Sequence, residues 1–263
     1  MARDAVLVEA KGLVKEYGEY GAGTRVVDDV SFQIRRGETM GLVGESGSGK
    51  STVARMLLRL VEPTAGTVDY DGVNLLKASS GTMRAMRRRI QIVFQDPFAA
   101  LNPRMRVREI LAEPFRIHGD RSRIDREHLV GMLAEVGLEA SALERFPHEF
   151  SGGQRQRINI ARALALKPEF LVLDEPVSAL DVSVGAQVVN LLRQLQQTYR
   201  LTYLFISHSM PLVRYLCDQV AVMQRGRLVE LGDCLQVCDA PMHEYTRGLI
   251  AATPEMPHVC LEP

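Results

Sequence analysis

The chain has 263 residues, 46% of them hydrophobic and 24% charged, the proportions of an ordinary globular protein able to bury a sizeable core. Lysine plus arginine and aspartate plus glutamate both number 32, so the formal net charge is zero. That balance excludes a general electrostatic pull on nucleic acid or anionic lipid, so membrane attachment would have to come through a partner. No run reaches the ~18 apolar residues a spanning helix needs. Residues 1–10, with Arg3, Asp4 and Glu9, lack a signal-peptide core, so the protein is expected to stay in the cytosol. In that reducing compartment Cys217, Cys234, Cys238 and Cys260 are expected as free thiols. A metal or iron–sulfur site on Cys234, Cys238 and Cys260 is the alternative, but the spacing matches no metal-ligand pattern.

Residues 6–17 and 26–34 alternate polar and apolar side chains and are predicted as half-buried strands, joined by a glycine-rich turn over 20–24. Residues 39–43 form a short apolar strand, which runs into a glycine loop and then a helical pattern over 51–60. Pro63, Gly66 and Gly72 punctuate further strands, and residues 90–94 are another. From 102 to about 166 the period turns helical, with many charges. Residues 170–173 and 202–206 are continuous apolar strands, with an amphipathic helix over about 185–198 between them. Residues 220–223 and 226–230 form a last hairpin, and 231–263 is expected as an appended tail. Such alternation predicts a mostly parallel, helix-covered sheet, with the helical middle inserted into it.

Gly44-Glu45-Ser46-Gly47-Ser48-Gly49-Lys50-Ser51 has the spacing G-x-x-x-x-G-K-[ST] and sits between a strand and a helix N-terminus. The glycines let backbone N–H groups turn inward around a phosphate chain, and the helix dipole adds positive potential there. Lys50 can reach the β- and γ-phosphates and the Ser51 hydroxyl can hold Mg²⁺; Thr52, next in the first turn, joins the nucleotide-binding set. A plain glycine turn carrying a lysine would not need the strand before it and the helix after it. The strand over 170–173 ends in Asp174 and Glu175. Buried in the sheet, it would hold Asp174 to help bind Mg²⁺ and Glu175 to polarise an attacking water, the two tasks hydrolysis requires. Because Pro176 follows, a helix-start acid pair is the bland alternative; the phosphate loop upstream favours the functional reading.

Phe150-Ser151-Gly152-Gly153-Gln154-Arg155-Gln156-Arg157 resembles the signature sequence of ABC ATPases. It is a second glycine-led helix start suited to an anion. Two such cradles in one chain make sense if ATP is sandwiched between two copies, and the resemblance implies that each signature closes on the γ-phosphate held by the other subunit. It further implies that Tyr17 stacks on adenine and that Gln95 meets Mg²⁺, the attacking water and the membrane partner. Ser178 to Asp181 resembles the loop that crosses the dimer interface, and His208 the switch histidine on the γ-phosphate. The implied fold is α/β: a P-loop nucleotide-binding core with a RecA-like, mostly parallel sheet, an antiparallel β subdomain and an inserted helical subdomain. ATP-binding residues would span 1–230, with the insertion at about 96–166 and a tail at 231–263.

Residues 95–104, 147–150, 174–183 and 243–246 are similar to the di- and oligopeptide importer branch, which also includes nickel and glutathione importers. Two features depart from it: Ser209 follows His208 where Asp is usual, and the cysteine-rich extension of some peptide importer subunits is lacking. The implied activity is ATP hydrolysis coupled to solute import, with ATP and Mg²⁺ as cofactors. The implied partners are membrane permease subunits, a second ATP-binding subunit and, indirectly, a periplasmic or extracellular solute-binding protein, with no nucleic acid. The protein would sit at the cytoplasmic face of the membrane, with Phe98 and Leu101 offering a docking surface for the permease; the bland alternative for each is packing inside the helical subdomain. The alternatives are an ABC protein acting in DNA repair or on the ribosome, or an accessory ATPase of phosphonate degradation.

Overall fold

The computed structural model describes residues 5–18 and 23–252. Two sheets form from the strands that alternation and apolar runs predict. In the first, β1 (Val6–Tyr17) pairs antiparallel with β2 (Thr24–Arg35) and with β4 (Ala65–Tyr70), and β5 (Val73–Asn74) closes the edge. The second contains β3 (Thr39–Val43), β6 (Ile90–Val93), β7 (Phe170–Asp174), β8 (Thr202–Ser207), β9 (Gln219–Gln224) and β10 (Arg227–Asp233). Its order is β10-β9-β3-β8-β7-β6, parallel throughout except for β10 on β9.

The pleat of the central strands explains why their sequences are apolar without a break. Phe170 and Val172 of β7, with Leu204 and Ile206 of β8, face a core shared with the antiparallel sheet and α1 (Lys50–Leu57). Leu171, Leu173, Tyr203 and Phe205 face the opposite core. A strand buried on both faces has no polar side to alternate. Arg36 and Arg89 each pair with both Asp71 and Glu169, tying the antiparallel sheet to the end of the parallel one. Arg89 closes α2 (Ser80–Arg89), a helix the sequence pattern did not reveal.

The helical middle comprises α3 (Pro97–Ala100), α4 (Val107–His118), α5 (Arg126–Glu135) and α6 (Gly152–Leu164). Ile110, Leu111 and Phe115 of α4 and Ile158 of α6 share one continuous core with the parallel sheet and with α7 (Val182–Tyr199). The expectation that Leu101 docks a permease is overturned, because Leu101 is 1% exposed and belongs to this core. The physical reason is the single turn of α3, started by the Asp96 carboxylate accepting the Phe98 N–H at 2.7 Å. That turn leaves Phe98 57% exposed, beneath the Arg155 guanidinium at 4.0 Å from the ring centroid, and returns Leu101 to the interior.

The chain after 230 packs onto the core as far as it is described. α8 (Met210–Leu216) lies against α9 (Cys234–Asp239), whose N-cap Asp233 accepts the N–H groups of Leu235 and Gln236. Cys234 and Val237 are buried there, and α10 (Glu244–Ala251) follows. Cys217, Cys234 and Cys238 are free thiols. Among the described residues no three His, Cys, Asp or Glu side chains could hold a metal ion. The alternative metal reading also needs Cys260, which lies outside them. No helix among the described residues is long and apolar enough to cross a membrane.

Candidate active site

Parallel strands deliver all their carboxyl ends to one edge, which is where open α/β sheets bind ligands. Here β3 delivers the glycine loop, β6 leads to Gln95, β7 ends at Asp174 and Glu175, and β8 leads to His208. A cavity of about 510 Å³ lies among them. Ser46, Gly47, Gly49, Lys50, Ser51 and Thr52 line it, with Gln95, Glu175, His208 and Val26 of β2.

Two of the loop glycines are dictated by neighbours. At Gly44, with φ at +149°, a β-carbon would stand 2.1 Å from the Met223 carbonyl oxygen. At Gly49, with φ at +105°, it would stand 2.6 Å from the Val26 carbonyl oxygen. The β9–β10 turn braces the same loop, as the Gly226 N–H donates to the Ser48 carbonyl at 3.0 Å. Lys50, only 5% exposed, donates from Nζ to the carbonyls of Gly44 at 2.8 Å and Glu45 at 2.7 Å. Burial lowers its pKa, and the nearby Glu175 and Asp174 carboxylates oppose that shift.

The two acids end beside this loop by different routes. Asp174, 4% exposed, accepts the Ser51 hydroxyl at 2.9 Å. Burial raises its pKa, and the Ser51 bond works against the rise. Glu175 leaves the strand with φ at +47°, a left-handed conformation costing on the order of 1 kcal/mol for a side-chain-bearing residue. Its N–H still donates to the Ile206 carbonyl at 3.0 Å. Its Oε2 accepts the Gln95 Nε2–H at 2.9 Å and stands 3.6 Å from His208 Nδ1. Gln95, Glu175 and His208 therefore meet, although 113 positions separate the first from the last. The hydroxyl of Ser51, the carboxylate of Asp174 and the amide carbonyl of Gln95 are all hard oxygen donors, a set that suits Mg²⁺.

The remaining expected residues lie around this centre. Tyr17 is exposed at the end of β1, outside the cavity lining, with Lys15 Nζ 5.0 Å from its ring centroid. Asp181 caps α7, accepting the Val184 N–H at 2.9 Å, and lines a second cavity of about 190 Å³ that Glu175 and His208 also border. Backbone hydrogen bonding, first from Val184, lowers the Asp181 pKa. Ser151 caps α6: its Oγ accepts the Gln154 N–H at 3.3 Å, and Gln154 Oε1 accepts the Ser151 N–H at 3.1 Å. Residues 151–154 line neither cavity. Gly153 has a packing reason that the sequence did not disclose, since a β-carbon there would lie 2.3 Å from Val184 Cγ1. Sequence reasoning also missed Val26, because strand alternation does not say which end of β2 approaches the loop.

An α/β protein with a phosphate loop, a buried lysine and an acid pair at a strand end is a P-loop nucleotide hydrolase by architecture. The ABC transporter family matches residues 27–178. The chain is 52% identical over 249 residues to a putative peptide import ATP-binding protein of Brucella ovis, covering 94% of this chain and 78% of that one. It is 48% identical over 253 residues to the oligopeptide transport ATP-binding protein OppF of Bacillus subtilis, covering 94% and 82%. Among solved structures, cbiO1 of Clostridium perfringens, part of the ABC transporter complex cbiONQ, matches with a TM-score of 0.76 at 27% identity, over 89% of this chain and 91% of that one. A dimeric ATP-binding cassette in a post-hydrolysis state, bound to ADP and Pi, matches with a TM-score of 0.75 at 26% identity, over 87% and 99%. The chain belongs to the ABC transporter family, and within it is an ATP-binding subunit that hydrolyses ATP.

Proposed function

We propose that this subunit powers the import of di- or oligopeptides, hydrolysing ATP at a head-to-tail dimer interface beneath a membrane permease. The observation that carries the catalytic part is the grouping of Lys50, Ser51–Asp174 and Gln95–Glu175–His208 around one cavity. The free N–H groups of the phosphate loop and of the first turn of α1, with the Lys50 ammonium, would hold the β- and γ-phosphates, while the Glu45 N–H is taken by the Tyr245 hydroxyl. Tyr17 would stack on the adenine. Glu175, oriented by Gln95, would take a proton from the attacking water, while His208 contacts the γ-phosphate. Ser51, Gln95 and Asp174 would hold Mg²⁺, which neutralises charge on the phosphates. Ser151, Gly152, Gly153, Gln154 and Asp181 would close over the ATP held by the second subunit, and ADP and phosphate leave when the two part.

The names of relatives at 48% and 52% identity support the peptide substrate. The family supports permease partners, and with them a peripheral position on the cytoplasmic face of the membrane and an indirect link to an external solute-binding protein. The zero net charge supports a chain without a nucleic-acid partner. Residues 1–230 would act as the ATP-binding unit, with 96–166 as the part that moves against the core and carries exposed Phe98 to the permease. Reconstitution with the permease and binding protein in vesicles tests this reading. ATP-dependent uptake of a labelled tripeptide is expected, and Phe98→Asp should lower uptake while sparing ATP binding by the isolated subunit. Uptake of nickel or glutathione in place of peptide would reject the substrate assignment. Unchanged uptake by the Phe98 variant would reject that contact.

A further inference from the structure

The phosphate loop receives one contact from 200 positions away in the chain. The Glu45 N–H donates to the hydroxyl of Tyr245, on α10, at 3.0 Å. That N–H belongs to the peptide unit joining Gly44 to Glu45, and the carbonyl of the same unit accepts Lys50 Nζ at 2.8 Å. One peptide plane is thus held at one side by Tyr245 and holds the phosphate-binding lysine at the other. The plane follows a glycine at φ +149°, a residue with little steric resistance to rotation, so its orientation depends on outside partners.

Tyr245 is itself held in place. Its ring is partly buried against the core beneath the parallel sheet. Its N–H donates to His243 Nδ1 at 3.1 Å, which starts α10. The preceding turn is fastened to β10, because Glu230 accepts the N–H groups of Met242 at 2.8 Å and His243 at 3.1 Å. A continuous path runs from Glu230 through the turn and Tyr245 to the Gly44–Glu45 peptide and Lys50.

We infer that Tyr245 is a positioning residue for ATP binding, and that the chain beyond β10 acts as a brace setting the phosphate loop and Lys50 for the β- and γ-phosphates. The inference rests on the assignment of the ATP site to residues 44–52. Tyr245→Phe removes only the hydroxyl. In the full chain with its transport partners, the KM for ATP is expected to rise roughly 2- to 10-fold, the range one net hydrogen bond spans, with kcat at saturating ATP within about twofold. Glu230→Ala, which frees the turn, should raise the KM similarly, and the double variant should add little because both act along one path. A lowered Tm with an unmoved KM in Tyr245→Phe would overturn the proposal, since it would mean that the contact only fastens the helix. Additive KM effects in the double variant would overturn the path through Glu230. Lys50→Ala separates the two readings: if it binds ATP as the unaltered chain does, the site assignment fails and the brace with it. If Lys50→Ala loses ATP while Tyr245→Phe matches the unaltered chain, only the brace fails.

Discussion

Two helix N-termini in this chain are suited to anions, and they are built in opposite ways. At α1 the N-cap is Gly49 in the left-handed conformation, without a side-chain cap, and the lysine that follows is buried. The N–H groups of that first turn remain for a ligand. At α6 the N-cap is Ser151, and Ser151 and Gln154 cap one another reciprocally. The first terminus lines the large cavity and the second lines neither cavity described above. That box pairs two of the terminus's unpaired donors and leaves the N–H groups of Gly152 and Gly153 for a ligand, whereas at α1 no side chain caps the terminus. The contrast fits a site in which ATP binds first at α1, and α6 of the other copy engages only once that phosphate is in place.

The largest effects should come from breaking the chemistry at the α1 end. Glu175→Gln keeps the shape and the bond to Gln95 but removes basicity, so ATP should still bind while phosphate release falls by roughly 10²–10⁴. Near-normal release would remove Glu175 from its role. The same variant sharpens the comparison, because it traps the state in which α6 matters. It should sediment as a monomer without nucleotide and as a dimer with ATP, with the paralogous subunit added if the pair is heteromeric. Adding Ser151→Arg should abolish that dimer and leave ATP binding to the monomer intact. One species with and without ATP would mean that the second terminus does not serve a partner.

A smaller effect separates the two glycines of the signature. A β-carbon at Gly153 would sit 2.3 Å from Val184 Cγ1, whereas at Gly152 the nearest atom is the tip of Leu180 at 3.1 Å. Gly153→Ala should therefore cost about 1–3 kcal/mol and lower the Tm by several degrees in the isolated chain. Gly152→Ala should lower it by less. Equal melting temperatures for the two variants and the unaltered chain would mean that neither glycine is required by packing within one copy.

The phosphate loop and the acid pair were legible because their residues are contiguous and their strand context is short-range. The parallel core was legible for the same reason, since β3, β7 and β8 each read as an unbroken apolar run. What joins distant segments was not. The sequence alone placed Leu101 beside Phe98 at the surface, although a one-turn helix sends them in opposite directions. The Tyr245–Glu45 bond has no local signature, because both residues are ordinary for their positions and only the fold brings them together. α2 escaped notice because Met83 is its one buried side chain, too little to set a helical period. α9 and α10 are short, and their stability comes from the Asp233 and His243 caps and from burial against the core.

The smallest predicted effect concerns stability and its dependence on pH. Asp174 is buried, and burial raises its pKa above the ordinary 3.8 even though Ser51, Arg55 and Lys50 favour the charged form. The folded chain therefore holds this proton more tightly than the unfolded chain does. For a group shifted in that direction, the stabilising contribution is complete below 3.8 and is lost as pH rises through the folded value. At neutral pH the ionised carboxylate is a net burden on the isolated fold, kept for the cation it would help to hold. Asp174→Asn preserves an oxygen that can accept the Ser51 hydroxyl and removes the charge. Its Tm at neutral pH should rise by a few degrees, the size of change that about 1 kcal/mol produces in a chain of this length, while ATP hydrolysis falls. The gain should shrink as the pH is lowered through the raised folded value, where the native carboxyl takes up its proton. Thermal melts of both proteins across that range decide the matter. A variant less stable than the native chain at neutral pH would mean that the attraction between Asp174 and Lys50 outweighs the cost of burying the carboxylate.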